Sequence, residues 1–447
     1  MIIKNRRDLA TSQLRERALQ IIEAGISRVL PPDIMSSAVS YDAARRTIKI
    51  KSDTLAIATG RIFVIGGGKA AGLMAKALEA IIGAENIVDG VVNYKGGSVK
   101  THKIKTVTAG HPLPDQRGIA SVKEMLALKR RYLIGEGDVV ICLISGGGSA
   151  LMPCPVAGVS LRDKQKITEL LLGSGAEIDD INTVRKHLSQ IKGGRLGSFY
   201  SPATVISLIL SDVTGNDLAT IASGPTFPDR STFSDACNVL KRYGLLTKSP
   251  RNVTDFLSKG SRGEVAETPK ALNNCHNYII GDNGLALEAM ADKAREMGFK
   301  PYIISTRQKG DTAAIARLRA KELLDDKYAG YNALLIGGET TVKLSARSGK
   351  GGRNQHYAVV STLAMAPYPG QWLVASVGTD GSDFLPDVAG AVVDQDSPGT
   401  AQARGIDVKA CIESFDSNTL LDRIGNSLII TGDTGTNVGD VILYLIA

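Results

Sequence analysis

The chain has 447 residues, too many for one hydrophobic core, and a prior of about 150 residues per domain gives two or three. Its 43% apolar and 22% charged residues are those of an ordinary globular protein and exclude a disordered one. The 53 Lys+Arg exceed the 45 Asp+Glu by a net +8, but they are scattered with no basic run, which favours a small anionic substrate over nucleic acid.

Five cysteines, Cys142, Cys154, Cys237, Cys275 and Cys411, contain no CxxC pair, so neither a disulfide framework nor a zinc site is expected. The charged N-terminus does not read as a signal peptide, and no apolar run approaches the roughly 20 residues that span a bilayer. The expectation is a cytoplasmic enzyme with small-molecule partners, no nucleic acid and no membrane, of a size compatible with a homodimer.

In chain order, Leu14, Ala18, Ile21, Ile22 and Ile26 recur at three- and four-residue steps, an amphipathic helix that ends near Pro31-Pro32 and serves as packing scaffold. Short β-branched runs then alternate with helical patterns: RIFVIG before AAGLMAKALEAII, DVVICLIS before a glycine loop, TVISLILSD before another. That alternation predicts a Rossmann-like, doubly wound parallel sheet. Between about Tyr243 and Asn274 the strands give way to Ser, Lys, Arg, Gly and Thr, which places a boundary there and divides the chain into residues 1–250 and 251–447. A second α/β pattern begins at NYIIGDNG and continues through YNALLIGGE, QWLVASVGTDG and VILYLI. Two such domains imply a ligand cleft between them.

Ligands of open parallel sheets sit at the carboxyl ends of the strands, so the residues after each run matter most. There the chain places GGGKAAG (Gly66–Gly72), SGGGSA (Ser145–Ala150), SDVTGND (Ser211–Asp217), GDNG (Gly281–Gly284), GGET (Gly337–Thr340), GTDGSD (Gly378–Asp383) and GDTGTN (Gly432–Asn437). Glycine lets backbone N–H groups approach a phosphate, and it also simply makes tight βα turns.

The first loop has two readings. Gly66, Gly68 and Ala71 fit a dinucleotide fingerprint, with Asp89 placed for a ribose hydroxyl. Lys69 instead offers an ammonium to phosphate or carboxylate, and no Walker sequence occurs. Ser145, Gly146, Gly147, Gly148 and Ser149 form a nest of N–H donors and hydroxyls, without the GxSxG elbow of a hydrolase. Asp212 and Asp217, or Asp380 and Asp383, suit either Mg²⁺ or general-base work, and each also suits loop capping. Arg353, after GKGG at a helix start, would fork onto a carboxylate or a transferring phosphoryl group. His111, in TAGHPLPD, fits a loop-fixing role, and His102, His187 and His276 show no ligand spacing.

GGGKAAG, TAGHPLPD, SGGGSAL, KHLSQIKGGRL, LSDVTGNDLATIASGPT, GGETTV, GGRNQH, GTDGSDF and TGDTGTNVGD occur in this order over roughly Leu9 to Asp440. Together they resemble the type II glycerate kinases, whose C-terminal part is called the MOFRL domain and falls here on about 331–440. The resemblance implies ATP-dependent phosphorylation of D-glycerate with Mg²⁺, in a cleft between a Rossmann-like and a C-terminal α/β domain. The family's active-site lysine and arginine fall on Lys69 and Arg353. The chemistry of the other loops then suggests that Ser145–Ser149 hold the substrate with Lys69 and Arg353. Asp212 or Asp217 would orient the hydroxyl or bind metal. Gly66, Gly67, Gly68, Asp282, Asn283, Thr379, Asp380 and Gly381 would face the nucleotide.

Overall fold

The apolar run ahead of the triple glycine forms the strand Ile62–Gly67, buried along its whole length. Its neighbour Val139–Ser145 is likewise buried at every residue, as a strand covered on both faces must be. The computed structural model describes residues 1–57, 60–344 and 348–446; no candidate site residue lies outside them. These strands belong to one of two compact units, Ile34–Ile280; the other joins Met1–Asp33 to Gly281–Ala447.

In the Ile34–Ile280 unit six strands lie in the order Ile104–Thr108, Ile87–Tyr94, Ile62–Gly67, Val139–Ser145, Thr204–Leu210, Cys275–Gly281. The first five pair in parallel. The order reverses direction between Ile62–Gly67 and Val139–Ser145, the switch point at which a doubly wound sheet opens a crevice. Phe63, Ile65, Val140 and Cys142 anchor the core on one face with Met125 and Tyr200. A small antiparallel sheet, Val39–Asp42, Thr47–Ile50 and Asp53–Ala56, precedes the parallel one.

The second unit holds a mixed sheet in the order Pro301–Gln308, Ala333–Gly338, Asp440–Ile446, Trp372–Gly378, Gly390–Asp394, Leu428–Ile429. Asp440–Ile446 runs antiparallel to both of its neighbours. Asp440 therefore starts its strand beside Gly338 and Gly378, where theirs end. One edge of the sheet thus collects the loops GGET, GTDGSD and the Asp440 turn.

Two expectations change. The Cys275–Gly281 run, read as the opening of the second domain, is the edge strand of the first sheet, so the units part at 280/281 rather than 250/251. The N-terminal helix, Gln13–Arg28, belongs to the C-terminal unit. It packs on the helix Asn283–Glu296 so closely that a Cβ on Gly25 would lie 2.5 Å from Met290 Cγ. Sequence proximity assigned both segments to the wrong partner, because an apolar stripe specifies that it must be covered and not by what. Among the described residues no helix is long and apolar enough to cross a membrane.

Candidate active site

At the switch point the two glycine loops are in direct contact. Lys69 N donates to the Gly146 carbonyl at 2.8 Å, and Ala70 N donates to Ser145 Oγ at 3.0 Å. Gly68 has φ +159°, and a Cβ there would fall 2.1 Å from Ser145 Oγ, so only glycine allows this approach. Gly66 and Gly67 serve close packing, against Leu143 and Met152. Gly147 is left-handed at φ +78°; a Cβ on it would lie 2.9 Å from the His111 ring and 3.3 Å from Lys69 Cγ. His111, taken as a loop anchor, therefore flanks the same glycine as Lys69.

The next strand contributes Asp212, two residues beyond its end at Leu210, which pairs with Ser145. Asp217 is exposed and engaged by its own turn, accepting from Ala219 N at 3.2 Å and Thr220 Oγ1 at 2.5 Å. Among the described residues no group of three or more His, Cys, Asp or Glu is arranged to hold a metal ion.

Behind this loop lies a turn that carried no assigned role. Ala222, Ser223 and Gly224 are consecutive left-handed residues at φ +51°, +62° and +59°. Non-glycine residues hold that conformation at a cost of about 1–3 kcal/mol each, so the surroundings must enforce it. Gly193 N donates to the Ser223 carbonyl at 3.0 Å, Gly194 N to the Gly224 carbonyl at 2.7 Å, and Lys192 Nζ reaches the Ala222 carbonyl at 3.4 Å. Ser223 Oγ donates to Asn182 Oδ1 at 3.1 Å and shares a 2.9 Å hydrogen bond with Ser149 Oγ. The signal lay in KHLSQIKGGRL and ATIASGPT, whose joint meaning appears only when the two are in contact.

Register removes Asp89 as the ribose ligand of the dinucleotide reading. Asp89 pairs opposite Phe63, near the amino end of its strand, while Asn93 stands opposite Gly67 at the glycine loop. The Asp89 carboxylate accepts from Tyr132 Oη at 2.9 Å, on the side away from the crevice.

In the second unit, Arg353 opens the helix Arg353–Ala364 and forks onto the chain's own carboxylate: Nε to Asp440 Oδ2 at 2.5 Å and Nη2 to Oδ1 at 3.0 Å. Nη1 donates to Glu339 at 2.6 Å. Burial works against the guanidinium charge, and Asp440 with Glu339 more than offset it, holding the pKa above its ordinary value. The helix N-terminus is filled as well, since Asp383 accepts from Asn354 N at 3.0 Å and Gln355 N at 2.8 Å. A cavity of about 350 Å³ opens beside these groups, lined by Arg353, His356, Phe384 and Phe415 among others.

The candidate nucleotide residues of this unit shape loops. Asp282 caps Asn283–Glu296 by accepting from Leu285 N, and Asn283 Nδ2 donates to the carbonyls of Val438 and Asp440. Thr379 Oγ1 donates to the Gly439 carbonyl at 2.7 Å, Asp380 accepts from Ser382 N at 3.0 Å, and Gly381 has φ +85° against Gly432.

Fold and loops define a doubly wound α/β protein with glycine loops and a lysine at the switch point, joined to a second unit with a mixed sheet. A family model described as a domain of unknown function, DUF4147, matches residues 17–258, and the MOFRL family model matches 332–440. The glycerate 2-kinase of Pyrococcus horikoshii is 39% identical over 96% of this chain and 98% of its own. A relative in Agrobacterium vitis, provisionally named a hydroxypyruvate reductase, is 36% identical over 97% of this chain and 99% of its own. The crystal structure of glycerate kinase from Thermotoga maritima superposes with a TM-score of 0.83 at 36% identity, covering 97% of this chain and 99% of that one. The chain belongs to the type II glycerate kinases, the MOFRL family.

Proposed function

We propose that this protein phosphorylates D-glycerate with ATP and Mg²⁺ to give 2-phosphoglycerate. The observation that carries this reading is the meeting of Lys69 with the Ser145–Ser149 loop at the switch point, in a chain whose full-length relatives include glycerate kinases. Phosphoryl transfer needs positioning and charge neutralisation more than a covalent nucleophile. Glycerate brings its own hydroxyl.

In this reading the ammonium of Lys69 and the hydroxyls of Ser145 and Ser149 hold the substrate, with Gly146–Gly148 giving backbone access. Asp212 takes the proton as the glycerate oxygen bonds to the γ-phosphorus and the bond to the ADP oxygen breaks. Arg353 meets phosphoryl charge, with its exposed partner Glu339 the one that gives way. Gly66–Gly68, Asp282, Asn283 and Thr379–Gly381 shape the loops toward the nucleotide. Mg²⁺ keeps several waters and takes one or two carboxylates plus substrate phosphates; whichever of Asp212 and Asp217 does not take the proton would hold it, Asp217 by leaving its turn contacts, and it would neutralise phosphate charge.

A phosphorus NMR time course with D-glycerate, ATP and Mg²⁺ tests both reaction and position. A 2-phosphoglycerate resonance is expected. A 3-phosphoglycerate resonance would retain the kinase and move the attack to O3; unchanged ATP, with NADH absorbance falling on hydroxypyruvate, would replace the kinase by the reductase that some relatives are named for.

A further inference from the structure

The Ile34–Ile280 unit buries cations that no carboxylate compensates. Lys192 is 1% exposed and Lys164 5%, and each ammonium reaches one backbone carbonyl, of Ala222 and of Leu188, at 3.4 Å. Arg185 has a buried Nε without a hydrogen-bond partner. Among the described residues none of the three forms an ion pair, whereas the adjacent Lys186 pairs with Asp229 at 3.3 Å. The fold thus supplies a carboxylate to one buried lysine of the region and withholds it from two.

An isolated charge is costly to bury, and three like charges together cost more. Burial, then repulsion from Arg185, brings Lys164 down to about 7, and burial with repulsion from Lys164 and Arg185 holds Lys192 well below an ordinary lysine. The Cys154 thiol is the other titratable neighbour. Such an arrangement gains from a bound anion, whose oxygens would fill the donors left open. Lys192 stands on the Ala222 carbonyl, and the next residue, Ser223, is hydrogen-bonded to Ser149 of the substrate loop.

We propose that Lys192, with Lys164 and Arg185, forms an oxyanion-recognition subsite behind the Ala222–Ser223 turn, taking the carboxylate or phosphoryl oxygens of the substrate. The choice of D-glycerate as probe rests on the function proposed above; the uncompensated cations do not.

The test is thermal unfolding of the full-length protein and of Lys192→Met, with D-glycerate or inorganic phosphate titrated at constant ionic strength. Wild type rises by several degrees at saturating anion, as ligand linkage requires. Lys192→Met without anion melts at or above wild type, because a buried amine with a single long hydrogen bond is replaced by an apolar side chain, while its anion affinity falls at least tenfold. Lys164→Met repeats the measurement should the first variant fail to fold. A Lys192→Met protein that keeps the wild-type anion response overturns the subsite and leaves the kinase reading intact. Wild type responding to phosphate but not to D-glycerate keeps the subsite and removes D-glycerate as substrate. Wild type responding to neither anion overturns the inference.

Discussion

Arg353 is held by two carboxylates of unequal character. Asp440 is 5% exposed and takes the fork, whereas the Glu339 side chain is 49% exposed and takes a single N–H. An exposed ion pair is worth about 0–1 kcal/mol, so Glu339 can be displaced by a phosphoryl oxygen at little cost, while Asp440 keeps the guanidinium aimed. Arg353→Lys retains charge but loses the fork, and kcat should fall on the order of 10³-fold, the scale of a lost arginine finger. Glu339→Gln should change kcat by less than about tenfold under the same argument. Steady-state kinetics decide: a near-wild-type kcat for Arg353→Lys would remove the arginine from the reaction.

His356 permits a sharper test at the same scale. It is 3% exposed, its Nδ1 meets Ser417 Oγ at 3.0 Å, and burial pushes its pKa down to about 4. The unfolded chain takes up this proton near ~6.5 and the folded one near 4, so the unfolded state binds more protons between those values. Stability therefore falls as pH drops from 6.5 toward 4, by on the order of 3 kcal/mol from this group. Urea midpoints at pH 7 and 4.5 should converge for His356→Asn relative to wild type. Parallel losses in the two proteins would show that His356 does not titrate in this way.

At the scale of elements, legibility followed the period of the hydrophobic pattern. IFVIGG and VVICLIS are continuous apolar runs because both faces of the parallel sheet are covered, and a glycine after each marks where the chain leaves it. The loops were legible singly for that reason. Their pairing was not: that Lys69 N meets Gly146, that His111 sits on Gly147, and that Ser223 reaches Ser149 depends on strand order, which no local pattern carries. The dinucleotide fingerprint shows the same limit from the other side. Gly66, Gly68 and Ala71 had the spacing, yet Asp89 falls opposite Phe63 rather than Gly67, a matter of register. Lys192 and Lys164 were invisible because an isolated lysine in a helical or loop stretch is nearly always solvated, and only burial makes it informative.

For the whole molecule, the chain's path sets which parts support one another. The first 33 residues complete a unit whose remainder begins at Gly281. Lys4 N donates to the Ile430 carbonyl at 2.8 Å, Asn5 brackets the Leu428–Ile429 strand, and Arg15 Nε donates to the buried Asp394 at 2.5 Å. Removing Arg15 leaves that carboxylate buried and unpaired, a loss of about 3–5 kcal/mol, whereas removing an exposed arginine costs almost nothing. Arg15→Met should therefore weaken amide protection first in Gly390–Asp394 and Asn283–Glu296, and leave Ile62–Gly67 and Val139–Ser145 protected as in wild type. Hydrogen exchange followed by mass spectrometry reads both sets in one experiment. Equal loss in the two sets would mean that the units unfold as one, in which case the N-terminal helix supports the parallel sheet as much as the mixed one. Loss confined to the mixed sheet would make the amino terminus a stabilising strap of the unit that carries Arg353.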